Sequence, residues 1–325
     1  MIGKNLAEIR INSRKTSRQE NEKEFRLLLR SGDFCYSYDW KWAKMPAELK
    51  GYEVCGSACD RAGNLYITSR APRHPVAKFA PDGQLLGCLG TELEIGRAHG
   101  IYVDDEDTVW FTDDMTHVVY RYAQDGTQLA MLGHFNQPSD TGIADLAHSH
   151  RLRFWTIKRL GGPFNRPTRL VSDSKGFLYV TDGYGNAALH KFTPEGELLW
   201  TIGGMGPEPG HFGIPHSVWV DRYDRVMVAD REFDRIQIFD TDGHLLRILD
   251  GLIFPYDMVS DDDFLYISER EGRITIMDLE YRTVAQIGYY AGVCHGHSIA
   301  VDSRKNLYLG QLYGNHNLVR LERVV

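Results

Sequence analysis

The feature that most restricts the fold is a short strand-like phrase that occurs six times along the 325-residue chain. The six copies are LYITSR (65–70), VWFTDD (109–114), LYVTDG (178–183), VMVADR (226–231), LYISER (265–270) and LYLGQL (307–312). A second β-rich run follows each copy, and in four of the six it contains an Asp-Gly or Glu-Gly pair that suits a tight hairpin turn. Units of about 40 residues with this pattern are typical of four-stranded propeller blades rather than of helical repeats. The sequence therefore predicts an all-β protein, a six-bladed β-propeller.

The last unit ends after its third strand, so another part of the chain must complete the sixth blade. Residues 34–42 (FCYSYDWKW) are aromatic and alternating, and we predict that they supply the outer strand, which would close the ring and cover an open sheet edge. The propeller is thus expected to span 34–325. Residues 1–33 form a charged extension for which a frayed helix is expected. Residues 134–162 form an insertion between units two and three, and an insertion of that length is usually functional or mobile.

Three histidines occupy the same place in alternate units, the second, fourth and sixth. The segments are HGIYVD from His99, HSVWVD from His216 and HSIAVD from His297. In a propeller blade the first strand is innermost, and these histidines fall at its start. The equivalent positions of the other three units are occupied by Cys55, Thr168 and Tyr256. Alternate blades of a six-fold ring would place the three imidazoles around one axis.

Three converging neutral imidazoles with no thiolate or carboxylate beside them suit Zn²⁺ with an open fourth position, the pattern of a catalytic site. Ligand type alone leaves copper, nickel and Fe(II) open. The alternative is that the histidines line the channel and bind only water. His295 lies two residues before His297 and would face the same way on an extended segment, so it is either a further ligand or a substrate contact.

The ends of the second strands are predicted to lie on the same face as the histidines. Arg70 ends that strand in blade one, where it could clamp a carboxylate bidentately. Tyr184 follows it in blade three, and a nearby dication and guanidinium would lower the pKa of its phenol toward the range of a general base. Each residue also has an ordinary interpretation, a solvated strand end for Arg70 and a tight turn for Tyr184. Arg166 and Asn186 are expected to bind the substrate together with His295.

Composition adds limits on partners and location. The net charge is −7 with acidic and basic residues interspersed, so neither nucleic acid nor an anionic membrane is an expected partner. The five cysteines are odd in number and lack paired metal-binding spacing, which favours reduced thiols in a cytoplasm. The N-terminal residues contain no apolar run of the kind found in a signal peptide or membrane anchor.

A stretch covering blades three and four, residues 180–243, resembles the catalytic domain of peptidyl-α-hydroxyglycine α-amidating lyase, a six-bladed propeller of NHL repeats. The resemblance continues more weakly through AHGIYVDDEDTVWFTD (98–113), SRAPRHP (69–75) and GHSIAVDSRKNLYLG (296–310). In that family three histidines from alternate blades hold a catalytic zinc ion, and they match His99, His216 and His297. The catalytic tyrosine of the family matches Tyr184, and its essential arginine matches Arg70. The implied reaction cleaves the N–Cα bond of an N-acyl-α-hydroxyglycine and releases an amide and glyoxylate.

The chain departs from the family at the third ligand, where the lyases usually have Met-Pro-His-Asp and this sequence has His-Gly-His-Ser at 295–298. The family's aspartate helps to hold a structural calcium ion on the propeller axis, so calcium binding is in doubt. The chain carries no copper monooxygenase domain to make the hydroxyglycine, so a different hemiaminal or α-hydroxy acid is expected as substrate. The insertion has no counterpart in the lyases. The insertion is expected to cap the mouth of the channel, that is, the end of the propeller axis at which the three histidines lie. Basic residues in or next to the insertion are expected to favour an anionic substrate there: Arg153, Lys158, Arg159 and Arg166.

The sequence therefore predicts a zinc-dependent lyase acting on a small carboxylate-bearing substrate. Two other classes of function remain open. One is a metal-dependent hydrolase of the lactonase or esterase type, although the senescence-marker lactonases use carboxylate and asparagine ligands. The other is a propeller without activity that binds a protein partner, since many propellers are platforms.

Overall fold

The computed structural model describes residues 27–144, 152–288, 295–313 and 316–324. Almost all of the regular structure is β-strand, arranged as six antiparallel sheets. The first two strands are β1 (Leu27–Ser31) and β2 (Phe34–Asp39). Blades one and two contain β3 (Val54–Cys59), β4 (Leu65–Ser69), β5 (Val76–Phe79), β6 (Leu85–Leu89), β7 (Ala98–Val103), β8 (Val109–Asp113), β9 (Val118–Tyr122) and β10 (Gln128–Gly133).

The remaining blades follow in chain order. Blades three and four contain β11 (Pro167–Ser172), β12 (Leu178–Asp182), β13 (Ala188–Phe192), β14 (Leu198–Gly203), β15 (Pro215–Val220), β16 (Val226–Asp230), β17 (Arg235–Phe239) and β18 (Leu245–Leu249). Blades five and six contain β19 (Asp257–Ser260), β20 (Phe264–Ser268), β21 (Ile274–Asp278), β22 (Thr283–Ile287), β23 (Gly296–Val301), β24 (Leu307–Gln311) and β25 (Leu318–Arg323). Three short 3₁₀ turns lie at Arg153–Thr156, Arg231–Phe233 and Arg270–Gly272.

The first strand of each blade packs against the first strand of the next, and β23 of blade six packs against β3 of blade one. The six-bladed propeller predicted from the repeats is therefore confirmed. The second strands are buried because neighbouring blades cover both faces of each sheet, with Phe264 at the start of β20 the one partly exposed residue. The fourth strands of blades one to five are partly exposed at the outer rim of the ring, whereas β2 in blade six is mostly buried beside β1.

The sixth blade is completed by the N-terminal part of the chain. Strand β2 pairs with β25 in antiparallel register, with Tyr36 opposite Arg323 and Asp39 opposite Arg320. The predicted closing strand thus runs from Phe34 to Asp39, whereas Trp42 leaves the sheet and packs against blade one.

The expected helix in the extension is not found at its end, because Leu27–Ser31 form a fifth strand beside β2. Strand pairing lets Leu29 bury its side chain between blades five and six, which a free helix could not do. Within the described residues the sixth sheet therefore includes 27–31 as well as the strand from residue 34. Residues 1–26 lie outside the described part of the chain, and the helical expectation for them stays untested. No helix in the described residues is long and apolar enough to cross a bilayer.

Candidate metal centre

The six residues predicted to share one position at the start of the first strands do so, and they line one small cavity around the axis. They are Cys55, His99, Thr168, His216, Tyr256 and His297. In five of the six blades the pairing of first and second strand slips by at least one residue at this position. Such a bulge turns a side chain out of the regular strand alternation. Here the bulge lets the histidines point inward.

Each of the three histidines is oriented by the blade that follows it. The Nδ1 atoms of His99, His216 and His297 lie 2.8, 2.6 and 2.8 Å from the backbone oxygens of Thr168, Tyr256 and Cys55. A carbonyl oxygen only accepts hydrogen bonds, so each Nδ1 carries the hydrogen. Each neutral ring therefore keeps its lone pair on Nε2, the atom available as a metal ligand.

The three rings form a tight, buried group. One ring nitrogen from each lies within 4.8 Å of those of the other two, and ring centroids are 4.7 to 5.0 Å apart. Burial holds the pKa of all three imidazoles well below its usual range, and nearby positive charges lower it further. All three rings are thus neutral, as metal ligation requires.

The hydroxyl of Tyr184 lies against two of these nitrogens, 2.9 Å from Nε2 of His99 and 2.7 Å from Nε2 of His216. A phenol has one hydrogen, so it can donate to only one of two lone pairs. The other contact brings two lone pairs together unless a cation or an extra proton is present. This donor set, three imidazole nitrogens beside one phenol oxygen, fits a zinc ion with an open position.

The expected low pKa of Tyr184 is not produced by the protein's own groups. Burial raises the pKa of the phenol, and the guanidinium of Arg231, which lowers it, does not compensate. The expectation relied on a metal ion and a guanidinium acting together. Without the metal ion, the guanidinium lowers the pKa of Tyr184 by less than burial raises it. Three arginines surround the ring, with their guanidinium carbons 5.5 Å (Arg97), 5.6 Å (Arg231) and 5.9 Å (Arg166) from its centroid.

Arg70 lies on the predicted face and forms an ion pair with Glu53 at the start of the same blade. About a quarter of its side chain remains exposed, and its positive charge is close enough to lower the pKa of His99 and His297. Sequence reasoning missed both Glu53 and Arg231. The repeat phrases did contain a signal for Arg231, since ITSR in blade one and VADR in blade four place an arginine at the same position.

A second missed pair belongs to blade two. Arg97 precedes the first strand and donates from Nε and Nη2 to the carboxylate of Asp114, at 2.7 and 2.6 Å. Asp114 is fully buried, and Arg166 lies 3.8 Å from the same carboxylate. The predicted substrate contact Arg166 is thus buried beside Tyr184, and its contact with a substrate stays a prediction.

The other two predicted substrate contacts are placed differently. Asn186 is fully buried, and its amide donates to Gly161 O at 2.7 Å and to Asp182 at 2.9 Å. In this structure its amide therefore bonds to the protein itself, and a substrate contact through Asn186 stays a prediction. His295 is exposed and does not join the three-histidine group formed among the described residues, so it is not a ligand in this arrangement. A substrate contact through His295 stays a prediction.

The described ends of the insertion, 134–144 and 152–162, pack on the loop that carries Tyr184. Thr141 donates from its hydroxyl to Gly185 O at 2.7 Å, and Phe154 joins the apolar cluster against which Tyr184 packs. Trp155 makes an edge contact with Phe233 of blade four, at a centroid distance of 5.7 Å. The described ends of the insertion therefore pack beside the Tyr184 loop, while Arg159 pairs with Asp140 at the exposed surface.

A ring of six blades brings histidines from alternate first strands together on the axis, and distant relatives that are amidating enzymes support an enzyme-like propeller. The chain is a six-bladed β-propeller of the NHL-repeat type, and it resembles the catalytic domain of peptidyl-α-hydroxyglycine α-amidating lyase. No protein-family model matches the chain.

The curated relatives include NHL repeat-containing proteins and amidating lyases. Human NHL repeat-containing protein 3 is 31% identical over 228 residues, which is 67% of this chain and 60% of that protein. Drosophila melanogaster peptidyl-alpha-hydroxyglycine alpha-amidating lyase 1 is 31% identical over 153 residues, 43% of this chain and 25% of the relative. The chain thus spans less than two thirds of the length of these relatives. A solved streptogramin B lyase superimposes with a TM-score of 0.62 over 91% of this chain and 98% of its own, at 12% identity, and this likeness shows the fold alone.

Proposed function

We propose that the chain is a zinc-dependent lyase that cleaves the C–N bond of an N-acyl-α-hydroxyglycine or a similar hemiaminal acid, giving an amide and an α-oxo acid. The observation that carries the proposal is the hydroxyl of Tyr184 beside Nε2 of His99 and His216, within a buried group of three neutral imidazoles. A phenol this close to metal ligands can reach a hydroxyl group of a bound substrate. The relationship to amidating lyases supports the same reaction class.

The reaction needs one proton removed and one bond broken. A zinc ion held by the three histidines would polarise the substrate hydroxyl as a Lewis acid. Tyr184 would have to act as the phenolate, which the charge of the metal ion would stabilise against the effect of burial. The phenolate would accept the hydroxyl proton, the C–O bond would become a carbonyl, and the C–N electron pair would pass to the amide nitrogen. That nitrogen would take up one proton, so the phenolate is restored when the phenol gives its proton to the amide or to solvent. Arg231 and Arg97 lie beside the phenol ring and would stabilise its anionic form.

Arg70 would hold the substrate carboxylate. Its guanidinium is partly exposed on the histidine face, and a planar fork with several donors suits bidentate binding of a carboxylate. Arg166 adds positive charge on the other side of Tyr184. With the described ends of the insertion packed beside this loop, the mouth suits a small anionic substrate better than a long peptide.

Metal content tests the first part of the proposal. Protein purified without added metal should contain about one zinc ion per chain by elemental analysis, because three imidazoles form a site of the catalytic type. His99→Ala, His216→Ala and His297→Ala should each lose it, whereas the exposed His134→Ala should not. Full occupancy in two of the three core variants would contradict the assignment. Absence of metal from the wild type would favour a platform without activity.

Substrate turnover tests the second part. N-acyl-α-hydroxyglycines, ureidoglycolate and related hemiaminal acids should be screened for release of an α-oxo acid. Tyr184→Phe should keep the metal and the fold but lose turnover, and Arg70→Ala should lose both turnover and apparent affinity. Tyr223→Phe, an exposed tyrosine, is the matched control. If the zinc-loaded protein opens lactones or esters instead, with Tyr184→Phe still active, the hydrolase class replaces the lyase.

A further inference from the structure

A second layer of residues surrounds the axis directly after the histidine layer. Each member follows one of the six cavity residues named above. Five of them, Gly56, Gly100, Arg169, Ser217 and Asp257, also line the cavity, and the sixth, Ser298, is buried and hydrogen-bonded to Ser57. Arg169 of blade three and Asp257 of blade five form an ion pair in this layer. Blade four separates these two blades, so the pair bridges alternate blades on the channel side of blade four. Both side chains are only 4% exposed.

The carboxylate of Asp257 connects four blades. Besides Arg169 it accepts hydrogen bonds from the hydroxyl of Ser217 at 2.6 Å and from the backbone nitrogens of Met258 at 2.9 Å and Ile299 at 3.1 Å. These donors belong to blades four, five and six. A buried carboxylate requires such partners, because an unpaired one would be strongly destabilising.

The pair is also tied to the histidine layer. Arg169 follows Thr168, whose carbonyl oxygen accepts from His99, and Asp257 follows Tyr256, whose carbonyl oxygen accepts from His216. The ion pair therefore joins the two backbone segments that orient two of the three rings. Gly100 leaves room for it, since a Cβ there would lie 2.8 Å from Cα of Arg169.

We propose that Arg169 supplies the positive charge on the propeller axis that a metal ion would otherwise supply, and that with Asp257 it positions the histidine rings. A calcium ion needs six to eight oxygen ligands, and this layer instead contains a guanidinium, which offers only donors. The residues do not fit an axial calcium ion while Arg169 is present. Only the positioning role rests on the proposed zinc site. The axial charge does not.

The wild type gives the first test. Melting temperature measured in millimolar CaCl₂ or in EGTA should not differ, and elemental analysis should find calcium well below one per chain. Stoichiometric calcium, or clear stabilisation by it, would overturn the axial role of Arg169. This measurement needs no variant and does not depend on zinc.

The variant test uses Arg169→Ser, with the exposed Arg61→Ser as control. Removing the guanidinium leaves Asp257 and neighbouring hydroxyls to bind a cation, so the melting temperature should fall and then rise by about 3 °C or more on adding CaCl₂. The rise should be absent in Arg169→Ser combined with Asp257→Asn. If Arg169→Ser shows no calcium response, the carboxylate forms no cation site and the axial proposal is wrong. Should Arg169→Ser be insoluble, the wild-type measurement decides.

Positioning needs a spectroscopic readout. In the Co²⁺-loaded protein the visible ligand-field bands should change in Arg169→Ser and return toward the wild-type spectrum in Arg169→Lys, which restores a positive charge. Bands unchanged in Arg169→Ser would refute the positioning role. A wild-type chain that binds no Co²⁺ would instead contradict the proposed zinc site, and the calcium measurements would still decide the axial charge.

Discussion

Closure of the ring by β2 predicts a large stability loss from Tyr36→Ala. The ring of Tyr36 is fully buried in the cluster between blades five and six, where it packs with residues such as Tyr266 and Leu309. Truncating a buried aromatic side chain to alanine costs about 3–5 kcal/mol, because the transfer free energy is lost and a cavity remains. For domains of 150–250 residues each kcal/mol lowers the melting temperature by about 2–4 °C, so a fall of roughly 10 °C is expected here.

The assay is thermal denaturation followed by circular dichroism, with Leu86→Ala as control. Leu86 lies on the outer strand of blade one and is about half exposed, so its truncation should shift the melting temperature by less than about 2 °C. Deletion of residues 1–43 should cause insolubility or a still larger fall, since it removes β1 and β2 and exposes the edge of β25. A Tyr36→Ala variant as stable as the control, or a soluble truncation of unchanged stability, would refute closure by this strand.

Three further predictions concern the mouth and its supports. Burial raises the pKa of the Cys55 thiol to about 12, so at about pH 8 it should stay protonated and resist alkylation in the native protein; peptide mass spectrometry showing labelling as fast as in urea would contradict this. Asn186→Ala should lower stability by about 1–3 kcal/mol and increase hydrogen exchange at Gly161, because two buried hydrogen bonds are lost. Glu53→Gln should lower KM for a carboxylate substrate more than it changes kcat, since Arg70 loses its competing partner; an unchanged KM would argue against Arg70 as the clamp.

The repeats made the fold and the histidine group predictable. One phrase copied six times sets strand order and register, so equivalent positions such as those of His99, His216 and His297 must meet at the axis. Pairings between repeats were not predictable in this way. Arg169 and Asp257 are 88 positions apart, and only the closed ring brings them together.

Charge and burial explain the other differences. The end of the extension, Leu27–Ser31, carries three leucines, which are compatible with a helix. These residues form a strand because they pair with β2. Asn186 follows Tyr184 closely in sequence, but its side chain turns into the fold, where the Asp182 carboxylate needs a donor. Local sequence does not reveal which of two neighbours in a turn faces the mouth.

The charges around the site indicate which kind of substrate it would attract. Arg70, Arg97 and Arg231 each have an acidic partner in Glu53, Asp114 and Glu232. The three histidines are neutral, so a metal ion bound to them would be the largest uncompensated positive charge at the mouth. An anionic substrate would be drawn to that charge first and would reach the arginines second, in competition with their partners. We therefore expect a substrate that offers a hydroxyl group to the metal ion and a carboxylate to Arg70.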